Sequence, residues 1–186
     1  MRWEDLFADL EREWDALAAA GRQAEIAERT RAEYARVRLV DRLRGSEGRR
    51  VDLVTRGGRQ VCGVLARVGA DFVLVTEGRR EVLVPLRAVA AAIGLGTASV
   101  SDQQAGAVRA RLGLGSVLRR IAADRSVVTV AGPGETAWCG TVQRVGADFL
   151  ELAEHALDET PHRAHTRTVV LVPFSAITQV RRESPG

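Results

Sequence analysis

The sequence predicts a mainly β protein with helices (α+β), in which two tandem five-stranded barrels each follow a helix. The first observation is an internal repeat, because residues 61–75 return as residues 138–152 with an identical Val-Gly-Ala-Asp-Phe core. Similarity at a fixed offset, about 77 residues here, indicates one supersecondary unit used twice. The second observation is a series of short apolar runs between turn residues, which is typical of antiparallel strands. The third is an N-terminal stretch with helical periodicity.

That stretch, residues 1–35, is predicted to be an acidic helical arm. Apolar residues recur at alternating spacings of four and three, which places on one helical stripe Trp3, Phe7, Leu10, Trp14 and Leu17. A break is expected at Gly21, followed by a second helical run to about residue 45. The stripe packs either on the protein's own barrels or against another subunit as a coiled coil, and the sequence leaves both open.

The first barrel is predicted over residues 36–94. After its leading helix, strands are expected at 51–54, 61–68, 72–75, 81–84 and 89–93. The face that carries Val61 and Leu65 is expected to be buried, because it stays apolar in the second copy while the opposite face becomes polar, with Thr141 and Gln143. Gly63 lies inside the second strand, where a missing side chain permits sharp curvature, and Pro85 forms a corner. These features predict a small closed barrel.

A linker is predicted at residues 95–106, and the second barrel at 107–182. Its helix is expected at 108–123 and its strands at 127–131, 138–145, 149–153, 168–172 and 177–180. The Val-Pro pairs of the two copies lie 88 residues apart, so the hairpin after Phe149 is about 11 residues longer than its counterpart.

A helix followed by five bent strands resembles the Sm-like (LSm/Hfq-like) family, over residues 39–93 and again over 118–180. The resemblance is carried by the helix with Arg42-Leu43-Arg44, by Gly57-Gly58, Gly63-Val64-Leu65 and Asp71-Phe72-Val73, and by the closing strand to Ile93. It implies RNA binding and ring assembly through outer strands. Small SH3-like and PRC-type barrels are similar alternatives. The use of arginine as the only basic residue besides histidine is typical of a GC-rich genome, and selection for phosphate contacts is the other explanation.

Two aromatic residues are the first candidates for nucleic-acid binding. If Val73 and Leu150 face inward, the alternation of a strand turns Phe72 and Phe149 outward. In the Sm-like resemblance an aromatic residue at this position stacks on a base, whereas the alternative is burial against a neighbouring barrel or helix. Stacking on a base contributes about 1–3 kcal/mol and tolerates any base sequence.

Arginines are the second candidates. Residues 36–186 hold 22 arginines and 15 acids, against five arginines and nine acids in residues 1–35. A cluster between residues 36 and 60 contains Arg42, Arg44, Arg49, Arg50, Arg56 and Arg59. It serves either as an electrostatic footprint for nucleic acid or as a dock for the acidic arm. Arg67 and Arg144 either clamp phosphates or pair locally with Asp71 and Asp148.

Other chemistry is not expected. His155, His162 and His165 fall in the long hairpin, where loop geometry does not favour a metal site, so no metal and no cofactor are predicted. No arrangement of catalytic residues is apparent, which predicts that the protein is not an enzyme. Cys62 and Cys139 occupy equivalent places and reflect the repeat rather than a disulfide. The chain has no membrane segment and no secretory signal, which indicates a cytoplasmic protein.

The function predicted is therefore that of a non-enzymatic, nucleic-acid-associated regulatory protein that prefers RNA. The alternative is a protein–protein interaction or scaffolding module that forms homo-oligomers or binds a regulatory partner. The alternative is favoured by the loop before the last strand, where the family usually carries Arg-Gly or Lys-His. This chain has Pro85-Leu86-Arg87 in one copy and Pro173-Phe174-Ser175 in the other.

Overall fold

The structure is a computed structural model that describes residues 3–106, 111–154 and 168–183. The chain divides into two units, Met1–Arg38 and Leu39–Gly186. Helix α1, Trp3–Tyr34, is the only regular element of the first unit within the described residues. The helix continues through Gly21, so the predicted break there is wrong. Glycine inside a helix costs about 1 kcal/mol relative to alanine, which 32 residues of helix tolerate. Within the described ranges, no helix combines the length and the apolar character that crossing a membrane needs.

The second unit begins with helix α2 and the five strands of the first repeat. Their bounds are α2 Leu39–Arg44, β1 Arg50–Thr55, β2 Gln60–Val68, β3 Phe72–Glu77, β4 Arg80–Pro85 and β5 Val89–Ile93. Among the described residues that follow, the structure gives the bounds of helices α3, Asp102–Ala105, and α4, Leu114–Asp124. The second repeat consists of β6 Val127–Ala131, β7 Ala137–Val145, β8 Phe149–Glu154, β9 Val169–Pro173 and β10 Gln179–Glu183. A 3-10 turn precedes the last strand of each repeat, at Leu86–Ala88 and at Phe174–Ala176.

All ten strands form one antiparallel sheet in the order β5-β1-β2-β3-β4-β10-β6-β7-β8-β9. The mixed class with a majority of strands is confirmed. The sheet runs through both repeats, and β4 pairs with β10 rather than with the last strand of its own repeat. In this register Val180 lies opposite Leu83, and Arg182 lies opposite Glu81. The Arg182 guanidinium and the Glu81 carboxylate also form an ion pair of 2.6 Å, which joins the repeats.

The interior of the first repeat follows the predicted alternation. Along β2, Val61, Gly63 and Leu65 are buried while the residues between them are exposed, as the sequence predicted. A side chain at Gly63 would overlap the carbonyl oxygen of Thr76, and one at the equivalent Gly140 would overlap that of Ala153. Each of these strands also contains an irregularity in register a few residues later. Both glycines therefore lie where the neighbouring strand approaches too closely for any side chain.

Helix α4 packs chiefly against β7 of the second repeat, and its apolar residues also reach residues of the first repeat. Leu114 and Leu118 of α4 belong to the same apolar cluster as Phe72 and Leu83 of the first repeat. The same cluster contains the interior of the second repeat, so one core is shared by both repeats. A separate cluster, with Leu43 at its α2 end, fills the interior of the first repeat.

The predicted linker is held against α2. The Arg42 guanidinium donates hydrogen bonds to the carbonyl oxygens of Gly96 and Thr97, and the Gly96 N–H donates to the Ser46 hydroxyl. Because these bonds satisfy backbone groups of an irregular segment, they hold the segment against the fold.

Candidate functional site

The two phenylalanines have different surroundings. Phe72 is only 2% exposed, so of the two alternatives for this residue, stacking on a base or burial against a neighbouring element, the structure shows burial. Its ring lies against Gly69 on one side and belongs to the cluster beneath α4. The predicted strand alternation holds, since Val73 is buried on the opposite face, and residues of α4 cover the face that carries Phe72. Phe149 is half-buried, with its ring against Gly146. Of the two rings, Phe149 alone retains exposed surface for stacking.

Three arginines of the 36–60 cluster are engaged in the fold. Arg44 is buried and forms an ion pair of 3.3 Å with Asp41. Arg42 binds the linker carbonyls, and Arg59 donates to the carbonyl oxygen of Glu135 in the second repeat over 3.0 Å. The structure thus assigns these side chains to internal contacts.

The other predicted arginines are exposed, namely Arg49, Arg50, Arg56, Arg67 and Arg144. The predicted local pairing of Arg144 with Asp148 is not observed. Arg144 lies 3.9 Å from the carboxylate of Glu151 instead. The Asp71 carboxylate, which was expected to pair with Arg67, accepts the backbone N–H of Leu114.

The histidine cluster falls outside the described residues, because His155, His162 and His165 all lie between residues 155 and 167. In the segments that the structure describes, no group of three or more potential metal ligands is present.

The free edges of the sheet form a feature that the strand predictions missed. Strand β5 pairs with β1 alone and strand β9 with β8 alone in the described part of the chain. Large apolar side chains are exposed on both strands: Ile93 is 58% exposed, Val169 43% and Leu171 61%. Sheet edges in natural proteins are usually protected by charges, prolines or bulges, so apolar edges of this kind indicate an interaction surface.

A cleft between the repeats is the second missed feature. It encloses about 230 Å³ and is lined by Arg56 and Arg87 from the first repeat and by Pro133, Ser175 and Ile177 from the second. Arg87 donates a hydrogen bond to the carbonyl oxygen of Phe174. Its position after Pro85 marked it as part of the loop before the last strand, but the partner across the repeats was not visible in the local sequence.

Of the two cysteines, Cys62 has a shifted pKa. The pKa of Cys62 is raised above its usual value, chiefly because the thiol hydrogen-bonds to the Asp52 carboxylate beside it in the sheet, with the negative charges of Asp52 and Glu77 adding to the effect. A hydrogen bond to the protonated thiol disfavours the thiolate. At neutral pH a smaller fraction of Cys62 is therefore present as the reactive thiolate than for an ordinary surface cysteine.

No protein-family model matches this chain, and neither a curated protein nor a solved structure is significantly similar to it.

Proposed function

We propose that this protein is a self-assembling scaffold module whose copies join head to tail, with β9 of one copy pairing with β5 of the next. The observation that carries the proposal is the β4–β10 pairing inside the chain. That pairing joins the fourth strand of the first repeat to the last strand of the second.

The repeat makes the free edges equivalent to the paired ones. Val84-Pro85 of β4 corresponds to Val172-Pro173 of β9, 88 residues later, and the same offset relates β5 to β10. Each copy therefore presents, at its two ends, the same two kinds of strand that already pair at its centre. A joint of this type is heterologous, and repeated joints build a ring or an open filament.

The internal register predicts the contacts of the joint. Inside the chain Val180 lies opposite Leu83 and Arg181 opposite Val82. By the repeat offset, Ala92 of one copy would lie opposite Leu171 of the next, and Ile93 opposite Val170. The ion pair of the internal pairing has no counterpart in the joint, because Val169 and Gly94 replace Glu81 and Arg182. The joint between copies is thus expected to be apolar.

Substitutions at the two edges test the proposal. In sedimentation or light-scattering measurements, Ile93→Lys and Leu171→Lys are each expected to convert an oligomer to a monomer. A mixture of the two variants should form a one-to-one dimer and nothing larger, because each variant retains the edge that the other has lost. Val64→Lys is a matched control, since Val64 is 42% exposed on β2, away from both edges.

The outcomes separate the alternatives. A monomeric wild-type protein at high concentration would refute the proposal. Dimers of Ile93→Lys by itself would show pairing between two β9 strands and refute the head-to-tail arrangement. Phe7→Lys, on the apolar stripe of α1, should leave association through the edges unchanged. Loss of association in this variant would show that the interface lies on α1 instead.

A second candidate function is nucleic-acid association in the manner of a tandem Sm-like, RNA-preferring regulator. The observation that favours it is the excess of arginine after residue 35 together with the exposure of Arg49, Arg50 and Arg56. Binding of fluorescent single-stranded RNA and DNA across a salt series tests it. Phosphate neutralisation predicts affinity that falls steeply with salt, and absence of binding at low salt would refute this candidate.

A further inference from the structure

The cleft between the repeats is basic on one wall and neutral on the other. Arg56 follows β1, and Arg87 lies in the 3-10 turn between β4 and β5. The backbone N–H of Arg56 donates to the carbonyl oxygen of Ala88 over 2.8 Å, which holds the two segments side by side. Arg56 and Arg87 therefore line the same concave space.

Within the described part of the chain, neither arginine forms an ion pair with a carboxylate. The Arg56 side chain has no hydrogen-bond or ion-pair partner among residues 3–106, 111–154 and 168–183. Arg87 binds the carbonyl oxygen of Phe174, which orients the group without cancelling its charge. Of the described residues that line the cleft, none is acidic. A cleft lined by two cationic residues and by no acidic one favours an anion.

The opposite wall has diverged from the basic one. By the repeat offsets, Pro133 occupies the position equivalent to Arg56, and Ser175 the position equivalent to Arg87. Small residues thus face the two arginines and leave the space open, with Ala88 and Ile177 as buried residues among the lining.

We infer that this cleft is a binding site for a phosphate group, with Arg56 and Arg87 as its ligands and the Ser175 hydroxyl as a further donor. A planar guanidinium offers two parallel N–H groups that match the oxygens of a phosphate. The apolar lining accommodates the organic part of a phosphate ester. The phosphate belongs either to a free small molecule or to the backbone of a single-stranded nucleic acid. The site does not depend on the proposed association of copies, since neither free edge lines it.

Titration calorimetry on the full-length protein tests the site with three probes: inorganic phosphate, adenosine monophosphate, and a single-stranded oligoribonucleotide at constant ionic strength. Arg56→Ala and Arg87→Ala are each expected to weaken binding at least tenfold, as the loss of a charge-assisted hydrogen bond predicts. Arg79→Ala removes an exposed arginine from the β3–β4 turn and should leave affinity unchanged. Arg56→Ala keeps the Arg87–Phe174 bond, so its effect cannot be attributed to loss of that contact between the repeats.

Saturable binding of the small probes, with no gain for the oligoribonucleotide, identifies a free phosphate ester as the ligand. Tighter binding of the oligoribonucleotide that inorganic phosphate displaces identifies a nucleic-acid backbone. Both results support the site. Absence of saturable binding for all three probes, or equal loss in Arg56→Ala and Arg79→Ala, would overturn it.

Discussion

The backbone N–H of Leu114 donates a hydrogen bond of 2.6 Å to the carboxylate of Asp71. Asp71 belongs to the Gly-Ala-Asp turn of the first repeat, and Leu114 is the first residue of α4. The N-cap residue of α4, Gly113, has no side chain with which to cap the helix. Asp71 therefore provides the capping oxygen from a distant part of the chain, and its negative charge also suits the positive end of the helix.

We expect Asp71→Ala to lower the free energy of unfolding by about 1–2 kcal/mol, the usual cost of a lost helix cap. The repeat provides a matched control. Asp148 is the equivalent residue and is exposed, and its carboxylate has no hydrogen-bond partner in the part of the chain that the structure describes. Asp148→Ala should change stability by less than about 0.5 kcal/mol. Urea denaturation followed by circular dichroism measures both values.

Equal effects at the two positions would contradict this role for Asp71, because the turns are otherwise alike. Asp71→Asn should recover most of the lost stability, since the amide oxygen also accepts the Leu114 N–H.

The two phenylalanines, like the two aspartates, are expected to contribute unequally to the free energy of unfolding. Phe72→Ala should lower the free energy of unfolding by roughly 3–5 kcal/mol, because it empties a fully buried site beneath α4. Phe149→Ala removes a half-buried ring and should cost less than half as much. Only Phe149 is suited to a test of base stacking. Thermal unfolding of both variants, with oligonucleotide binding measured for Phe149→Ala, provides the comparison, and similar melting temperatures would contradict the assignment.

The sequence predicted the strands and their buried faces, but it did not predict which distant elements pack against them. Alternation of apolar and polar residues along β2 correctly identified its buried face, since this pattern depends on residues adjacent in the chain. The position of Phe72 depends on α4, which lies some 40 residues later, so no local pattern contained it. The β4–β10 pairing and the Arg56–Arg87 cleft likewise bring together residues from different repeats. The repeat suggested the architecture of each half, but the contacts between the halves are long-range properties of the fold.

Alanine in place of Gly63 or Gly140 is expected to destabilise the sheet. The added methyl group would overlap a backbone carbonyl oxygen of the next strand, which cannot move as the end of a flexible side chain can. Overpacking of this kind costs about 1–3 kcal/mol.

Gly21→Ala is the opposite case, because nothing lies within 4 Å of a side chain there and alanine favours a helix by about 1 kcal/mol. We expect lower melting temperatures for Gly63→Ala and Gly140→Ala and higher helical ellipticity for Gly21→Ala. A neutral effect of Gly63→Ala would show that β2 and β3 are farther apart than in this structure.

The reactivity of Cys62 should depend on Asp52. Because the hydrogen bond from the thiol to the Asp52 carboxylate raises the pKa of Cys62, less thiolate is present at a given pH, and alkylation is expected to be slow at pH 8. Asp52→Ala removes both the acceptor and its negative charge, so the midpoint of the pH–rate profile should move to lower pH. Iodoacetamide labelling followed by mass spectrometry measures the profile, with Cys139→Ser as the background so that Cys62 is the one thiol labelled.

Glu77→Gln should move the midpoint in the same direction by a smaller amount, since Glu77 acts on the thiol through its charge only. Arg50→Ala should move it the opposite way, because the Arg50 charge favours the thiolate. A midpoint that Asp52→Ala leaves unchanged would show that the pairing of Asp52 with Cys62 across β1 and β2 does not control the thiol.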